Sequence, residues 1–159
     1  MGKTQDAGTW IEGLDEAIDL RRRSIREKSS RIIRRAHWLD DDDREIVIAY
    51  FERGMHASKI GAFLKTDPRL IRRRLRHIIL RLEDPRCAYV VAHRNAWSAR
   101  RRAIAEDLFI RGRSMREISK ERGLSLYSVR KHRDAIEAMT IAQTLTDRPS
   151  RTWQYAERG

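Results

Sequence analysis

With a single cysteine, Cys87, the chain can form no internal disulfide and no Cys-x-x-Cys metal site, and it suits a reducing compartment. Its eight glycines build no Gly-rich phosphate loop. No stretch approaches the roughly 18 uncharged apolar residues that span a bilayer. The opening MGKTQDAG lacks the apolar core of a signal peptide, and Asp6 stands where a myristoylation signal needs Ser or Thr. A cytoplasmic, nucleoid-associated protein with no membrane partner is expected. The β-branched cluster of Tyr89, Val90 and Val91 is too short and too flanked by helix formers to be a strand.

What the chain does have is positive charge. Its formal net charge is +12 and its pI about 10.7. Of its 35 basic side chains 29 are Arg, whose planar fork suits phosphates and guanine edges better than Lys does. The basic residues concentrate at defined helical positions, which points to a polyanionic partner.

A 58-residue offset organises the sequence. Arg44, Ile46, Phe51, Arg53, Gly54, Ile60, Arg72 and Ile78 recur as Arg102, Ile104, Phe109, Arg111, Gly112, Ile118, Arg130 and Ile136. That is eight identities in 35 aligned positions, against about three expected by chance in an Arg-rich chain. The repeat extends upstream, with Ile32 and Ile33 matching Val90 and Val91, and with Asp40 and Ser98 as N-caps of the next helix. Pro85 disfavours helix at Asp84 and divides the copies.

The reading is all-α. Residues 1–27 form a tail, disordered to about residue 9, and an amphipathic helix. Residues 28–82 and 86–140 form two tandem helix-turn-helix units of about four helices each, and 141–159 a mobile tail in which Trp153 and Tyr155 could dock. The N-terminal helix runs through Ile11, Leu14, Ile18, Ile25, Ile32 and Leu39, acidic early and basic late. This order complements a helix dipole, and the spacing near seven permits a homodimer seam.

In the second unit, Arg100 to Arg111 makes the first helix and Gly112 closes it. Ser114 and Glu117 have capping-box spacing, Gly123 supplies the positive backbone angle of the turn, and Ser125 caps the third helix. Val129 and Ile136 face the core, which leaves Ser125, Tyr127, Ser128, Arg130 and Lys131 to meet bases and phosphates. The run Ser114, Glu117, Ile118, Gly123, Leu124, Ser125, Ser128, Val129, Arg130, His132 and Ile136 resembles the helix-turn-helix of LuxR/FixJ-type regulators and of sigma-70 region 4. The resemblance covers some 35 to 40 residues. It implies that the helix opened by Ser125 enters the major groove with Arg130 near DNA, and it implies RNA polymerase or another regulator as a second partner. Arg122 departs from it, standing where an apolar residue is usual.

The first unit follows the same plan. Its second helix, Ser58 to Leu64, is read with Ile60, Phe63 and Leu64 inward. Lys65 replaces the turn glycine, and Asp67 caps a third helix that Pro68 opens. Ile71, Leu75, Ile78 and Leu82 are its buried side. Lys65, Thr66, Arg69, Arg72, Arg73 and Arg76 are the expected DNA contacts, with Arg74 and Arg81 extending the basic surface. The competing reading pairs these arginines with Asp40 to Asp43.

Those four adjacent aspartates point in different directions and cannot make a Ca²⁺ loop. The five histidines form no HxxxH or HExxH pair, and Ser125, His132 and Asp134 share one helix, unlike a converging triad. No metal, cofactor or catalytic residue is expected. Trp10, Trp38, Trp97 and Trp153 fit core anchors better than base-stacking platforms. The expected function is a transcriptional regulator that binds double-stranded DNA by sequence. The rivals are a packaging or nucleoid protein resembling a small terminase, and a sigma-like module that contacts polymerase.

Overall fold

Asp84 and Pro85 mark where one group of helices ends and another starts. Asp84 is extended, and its carboxylate accepts from the Arg86 amide at 2.8 Å, capping the helix that Pro85 opens. The computed structural model describes the backbone of residues 7–147 and the side chains of residues 19–147. Within these the fold is all-α, without strands. The chain divides into two compact units at Leu82 and Glu83. Trp10, Trp153 and Tyr155, and the tail beyond Asp147, lie outside what can be described at side-chain level.

The first unit comprises α1 (Ala7–Arg35), a 3-10 turn (Ala36–Trp38), α2 (Asp41–Phe51), α3 (Ala57–Leu64) and α4 (Pro68–Glu83). Helix α1 begins inside the stretch whose composition suggests disorder. Its far end supplies Ile32 to a core shared with Ile46 and Val47 of α2, Ile60 of α3, and Ile71, Leu75, Ile78 and Leu82 of α4. The α4 residues recur at three- and four-residue steps on one face, and each fully buried side chain of this size contributes about 1.5–3 kcal/mol. Arg35 Nη1 donates to the Leu82 carbonyl at 2.6 Å while its guanidinium lies 5.1 Å over the Trp38 ring, joining the ends of α1 and α4. Trp38 packs against the core.

Helix α3 differs from its sequence reading. Phe63 and Leu64 point outward, 73% and 49% exposed. The inward face of this eight-residue helix is Ala57, Ile60 and Gly61. Gly61 lies so close under the α3–α4 turn that a Cβ there would stand 2.5 Å from the Thr66 carbonyl oxygen. So close an approach places small residues inside and leaves the large ones out.

The second unit comprises α5 (Pro85–His93), a 3-10 turn (Arg94–Ala96), α6 (Ala99–Ala105) continued by a π turn (Glu106–Ile110), α7 (Met115–Arg122) and α8 (Leu126–Thr146). Ile104, Ile118 and Val129 form a core cluster with Leu108, Met115 and Leu124 against it. Ser114 and Glu117 make a reciprocal capping box, and the Ser125 hydroxyl caps α8 by accepting from the Ser128 amide at 3.1 Å. Helix α8 continues past Thr140, where apolar periodicity stops, to Thr146. The Thr140, Thr144 and Thr146 hydroxyls donate back to the carbonyls of Ile136, Thr140 and Ala142.

The 58-residue offset holds at the level of single backbone bonds. Met55 N donates to Ala49 O at 2.9 Å, as Arg113 N does to Asp107 O at 2.8 Å; Thr66 N donates to Gly61 O at 2.8 Å, as Leu124 N does to Ser119 O at 3.0 Å. Gly54 and Gly112 share a left-handed angle (φ 63° and 68°), as do Lys65 and Gly123 (φ 50° and 61°). Lys65 therefore takes the glycine conformation despite its side chain, at a cost of about 1 kcal/mol. The first N-caps differ: Ser98 Oγ accepts from the Arg101 amide at 3.4 Å, whereas the Asp40 side chain takes no cap hydrogen bond.

Candidate nucleic-acid interface

Helix geometry places Arg69, Arg72, Arg73 and Arg76 in one stripe. At about 100° per residue, their mean direction lies about 140° round α4 from the line of Ile71, Leu75, Ile78 and Leu82. All four are exposed, and among the described residues none has an acidic partner. Arg74 and Arg81 behave otherwise and do not extend this surface. Asp43 of α2 accepts from Arg74 Nε at 2.6 Å and from Arg81 Nη2 at 2.7 Å. The aspartate run thus neutralises arginines on the flank of α4 and leaves the stripe charged.

At the head of that stripe Lys65 is exposed. Thr66 is half-buried, and its hydroxyl donates to the Leu64 carbonyl at 3.0 Å, so its first engagement is with the turn. Asp67 accepts from the Arg69 amide at 2.6 Å and caps α4.

The repeat carries the stripe to Tyr127, Arg130, Lys131 and Asp134 on α8, opposite Val129 and Ile136. Tyr127 is 75% exposed, and Arg130 and Lys131 are exposed without acidic partners among the described residues. Asp134 takes the place of Arg76 and accepts from Arg133 at 2.8 Å. Four cations in the first unit therefore correspond to two cations, a phenol and a paired acid in the second. Ser128 flanks the stripe, half-buried, while the Ser125 hydroxyl is committed to the cap.

Arg122, which stands where an apolar residue was expected, has a structural role. Asp107 is fully buried and accepts from Arg122 Nε at 2.6 Å and from Arg111 Nη1 at 2.7 Å, with Arg113 Nη1 3.8 Å away. Burial pushes its carboxyl upward, but hydrogen bonds and charge from Arg122 and Arg111 outweigh this and hold it below the usual carboxylate range. The first unit has Ala49 and Leu64 at the two equivalent places. Two apolar residues in one unit thus correspond to an ion pair on a buried acid in the other, which holds Arg111 and Arg122 toward Asp107.

Two residues escape the sequence reading. Arg100 and Arg101 of α6 lie near His132 on α8. Burial first, then the charges of Arg101, Arg100 and Lys131, push the ring below its ordinary value. The repeat contained the signal: Arg101 stands where Asp43 does, and His132 where Arg74 does. A salt bridge in one unit is thus a like-charged cluster in the other, and an anion would relieve it. Among known proteins, no family, no curated protein and no solved structure matches this chain.

Proposed function

We propose that the chain is a transcriptional regulator that binds double-stranded DNA by sequence, through two tandem helix-turn-helix units resembling sigma-70 region 4 and LuxR-type domains. Helices α4 and α8 are the reading helices, each laid in a major groove. The observation that carries this is the pair of equivalent stripes, Arg69, Arg72, Arg73 and Arg76 against Tyr127, Arg130 and Lys131. Among the described residues their cations have no acidic partner, whereas many of the other arginines are paired.

The stripes divide the labour. Arginine alone offers phosphate contact and affinity, whereas a phenol and a hydroxyl beside Arg130 offer choice among bases. Linked in one chain, the units raise each other's effective concentration when both engage. The asymmetry also favours a second reading, in which one unit binds DNA and the other binds RNA polymerase or another regulator.

Selection from a random duplex library with purified protein tests the proposal. A motif with two sub-sites is the expected result. Enrichment of one sub-site only points to the divided reading, and no enrichment despite salt-sensitive binding points to a packaging or nucleoid role.

A further inference from the structure

The first unit carries an open cleft of about 630 Å³ with an apolar floor and a rim in which three acids outnumber two arginines. Phe63, Leu64 and Leu70, all large and exposed, lie along it, and Asp41, Asp42 and Glu45 edge it with two arginines, Arg74, held by Asp43, and Arg53, 3.9 Å from Glu45. The fold itself does not require this cleft. At the equivalent places the second unit has Glu121, Arg122 and Ser128 for the three apolar residues, and Ala99, Arg100 and Ala103 for the three acids. Both the apolar floor and the three acids are particular to one copy, so packing of the shared scaffold does not explain them.

The same unit carries a complementary surface on α1. Every residue of α1 from Asp19 to Lys28 is exposed, a helical stretch of about 15 Å at 1.5 Å per residue. Ile25, 59% exposed, lies one heptad before the buried Ile32 on the same face, with Arg21 and Arg22 on either side of it. The stretch holds five cations, Arg21, Arg22, Arg23, Arg26 and Lys28, against Asp19 and Glu27. Helix α1 is continuous to Arg35, where Arg35 fastens it to Leu82, and it supplies none of the cleft lining. An unbroken helix anchored at that end cannot fold back on its own unit.

We propose that the cleft between α2, α3 and α4 seats the Asp19–Lys28 segment of α1 from a second copy of this chain, with Ile25 against Phe63 and Leu64 and the arginines against Asp41, Asp42 and Glu45. When the two copies exchange arms reciprocally, the contact closes as a two-fold dimer and does not propagate. This places the homodimer contact in the cleft, where a seam of one α1 against another would leave Phe63 uncovered. It stands apart from the DNA reading and is measured without DNA.

Sedimentation equilibrium of the full chain at moderate salt tests it. The wild type forms a dimer. Phe63→Glu, which installs the second unit's residue at an exposed site, and Ile25→Glu each raise the dissociation constant at least tenfold while circular dichroism stays unchanged. Asp42→Arg with Glu45→Arg also weakens the dimer, and adding Arg21→Glu with Arg22→Glu restores it. A wild type that is monomeric throughout overturns the proposal. So does a dimer that Ile25→Glu breaks and Phe63→Glu leaves intact, since α1 would then pair with itself.

Discussion

Asp107 shows how one side chain redirects several others. Removing its carboxylate takes from Arg111 and Arg122 the acid that they share, while Arg113 keeps its pair with Glu121. Because these arginines are about one-third exposed, water recovers part of the loss. Asp107→Ala is expected to cost about 2–3 kcal/mol in urea denaturation, below the full cost of orphaning a buried charge. Adding Arg122→Leu, which restores the first unit's Ala and Leu, should recover at least about 1 kcal/mol; strict additivity would show that the two do not act as a pair. Because the folded carboxyl sits below its unfolded value, its contribution is present above the ordinary aspartate range and is lost as pH falls through the folded value.

His132 follows the same direction for the opposite reason, since here the charged form is the one the fold disfavours. Its folded value lies below the unfolded one, so the free protein loses stability as pH falls below the ordinary histidine range. Bound phosphate would offset Arg100, Arg101 and Lys131 and let the ring take up a proton. Duplex affinity should therefore rise as pH falls through that range, and the rise should vanish in His132→Asn. Fluorescence anisotropy from pH 5 to pH 8 reads both curves.

At the scale of elements, the α3–α4 turn sets the geometry of the stripe, and two substitutions separate its demands. Gly61→Ala should destabilise by roughly 2 kcal/mol, because a Cβ meets the Thr66 carbonyl. Lys65→Gly should stabilise by up to about 1 kcal/mol by removing left-handed strain. Equal stability of both variants and the wild type would mean that the turn rearranges. The second unit solves the same approach with Ser119, whose hydroxyl donates to the Leu124 carbonyl at 2.5 Å.

Element by element, the sequence was readable where periodicity decides. Ile71, Leu75 and Ile78 on α4, and Val129 and Ile136 on α8, define buried lines, and the stripes follow by subtraction. The serine caps at 114 and 125 and the left-handed Gly54, Gly112 and Gly123 were equally local. Phe63 and Leu64 misled because hydrophobicity alone does not reveal that a short helix approaches through Ala57 and Gly61. The Asp43 pairs with Arg74 and Arg81, and the Asp107 pair with Arg122, join separate helices. No local pattern announces which acid meets which arginine. The proximity of Arg100 and Arg101 to His132 is tertiary for the same reason.

For the whole molecule, affinity and selectivity should be separable by unit. Arg72→Ala with Arg73→Ala should weaken binding to every duplex and lower the slope of log affinity against log salt by about two. Tyr127→Ala with Arg130→Ala should instead reduce discrimination between the selected site and random duplex by about tenfold or more. Equal losses on both DNAs from the second pair would remove the second unit as the reader.

Asp43 acts as a mask over the cationic surface, holding two arginines away from any ligand. The footprint on a polyanion is thus drawn partly by erasure, and a loss can enlarge it. Asp43→Ala should release Arg74, the more exposed of the two, tighten binding to random duplex and steepen its salt dependence, although no cation has been added. If the chain reads DNA as proposed, its selectivity depends on where its acids stand as much as on its many bases, and deleting one carboxylate is the shortest route from discriminating to indiscriminate binding.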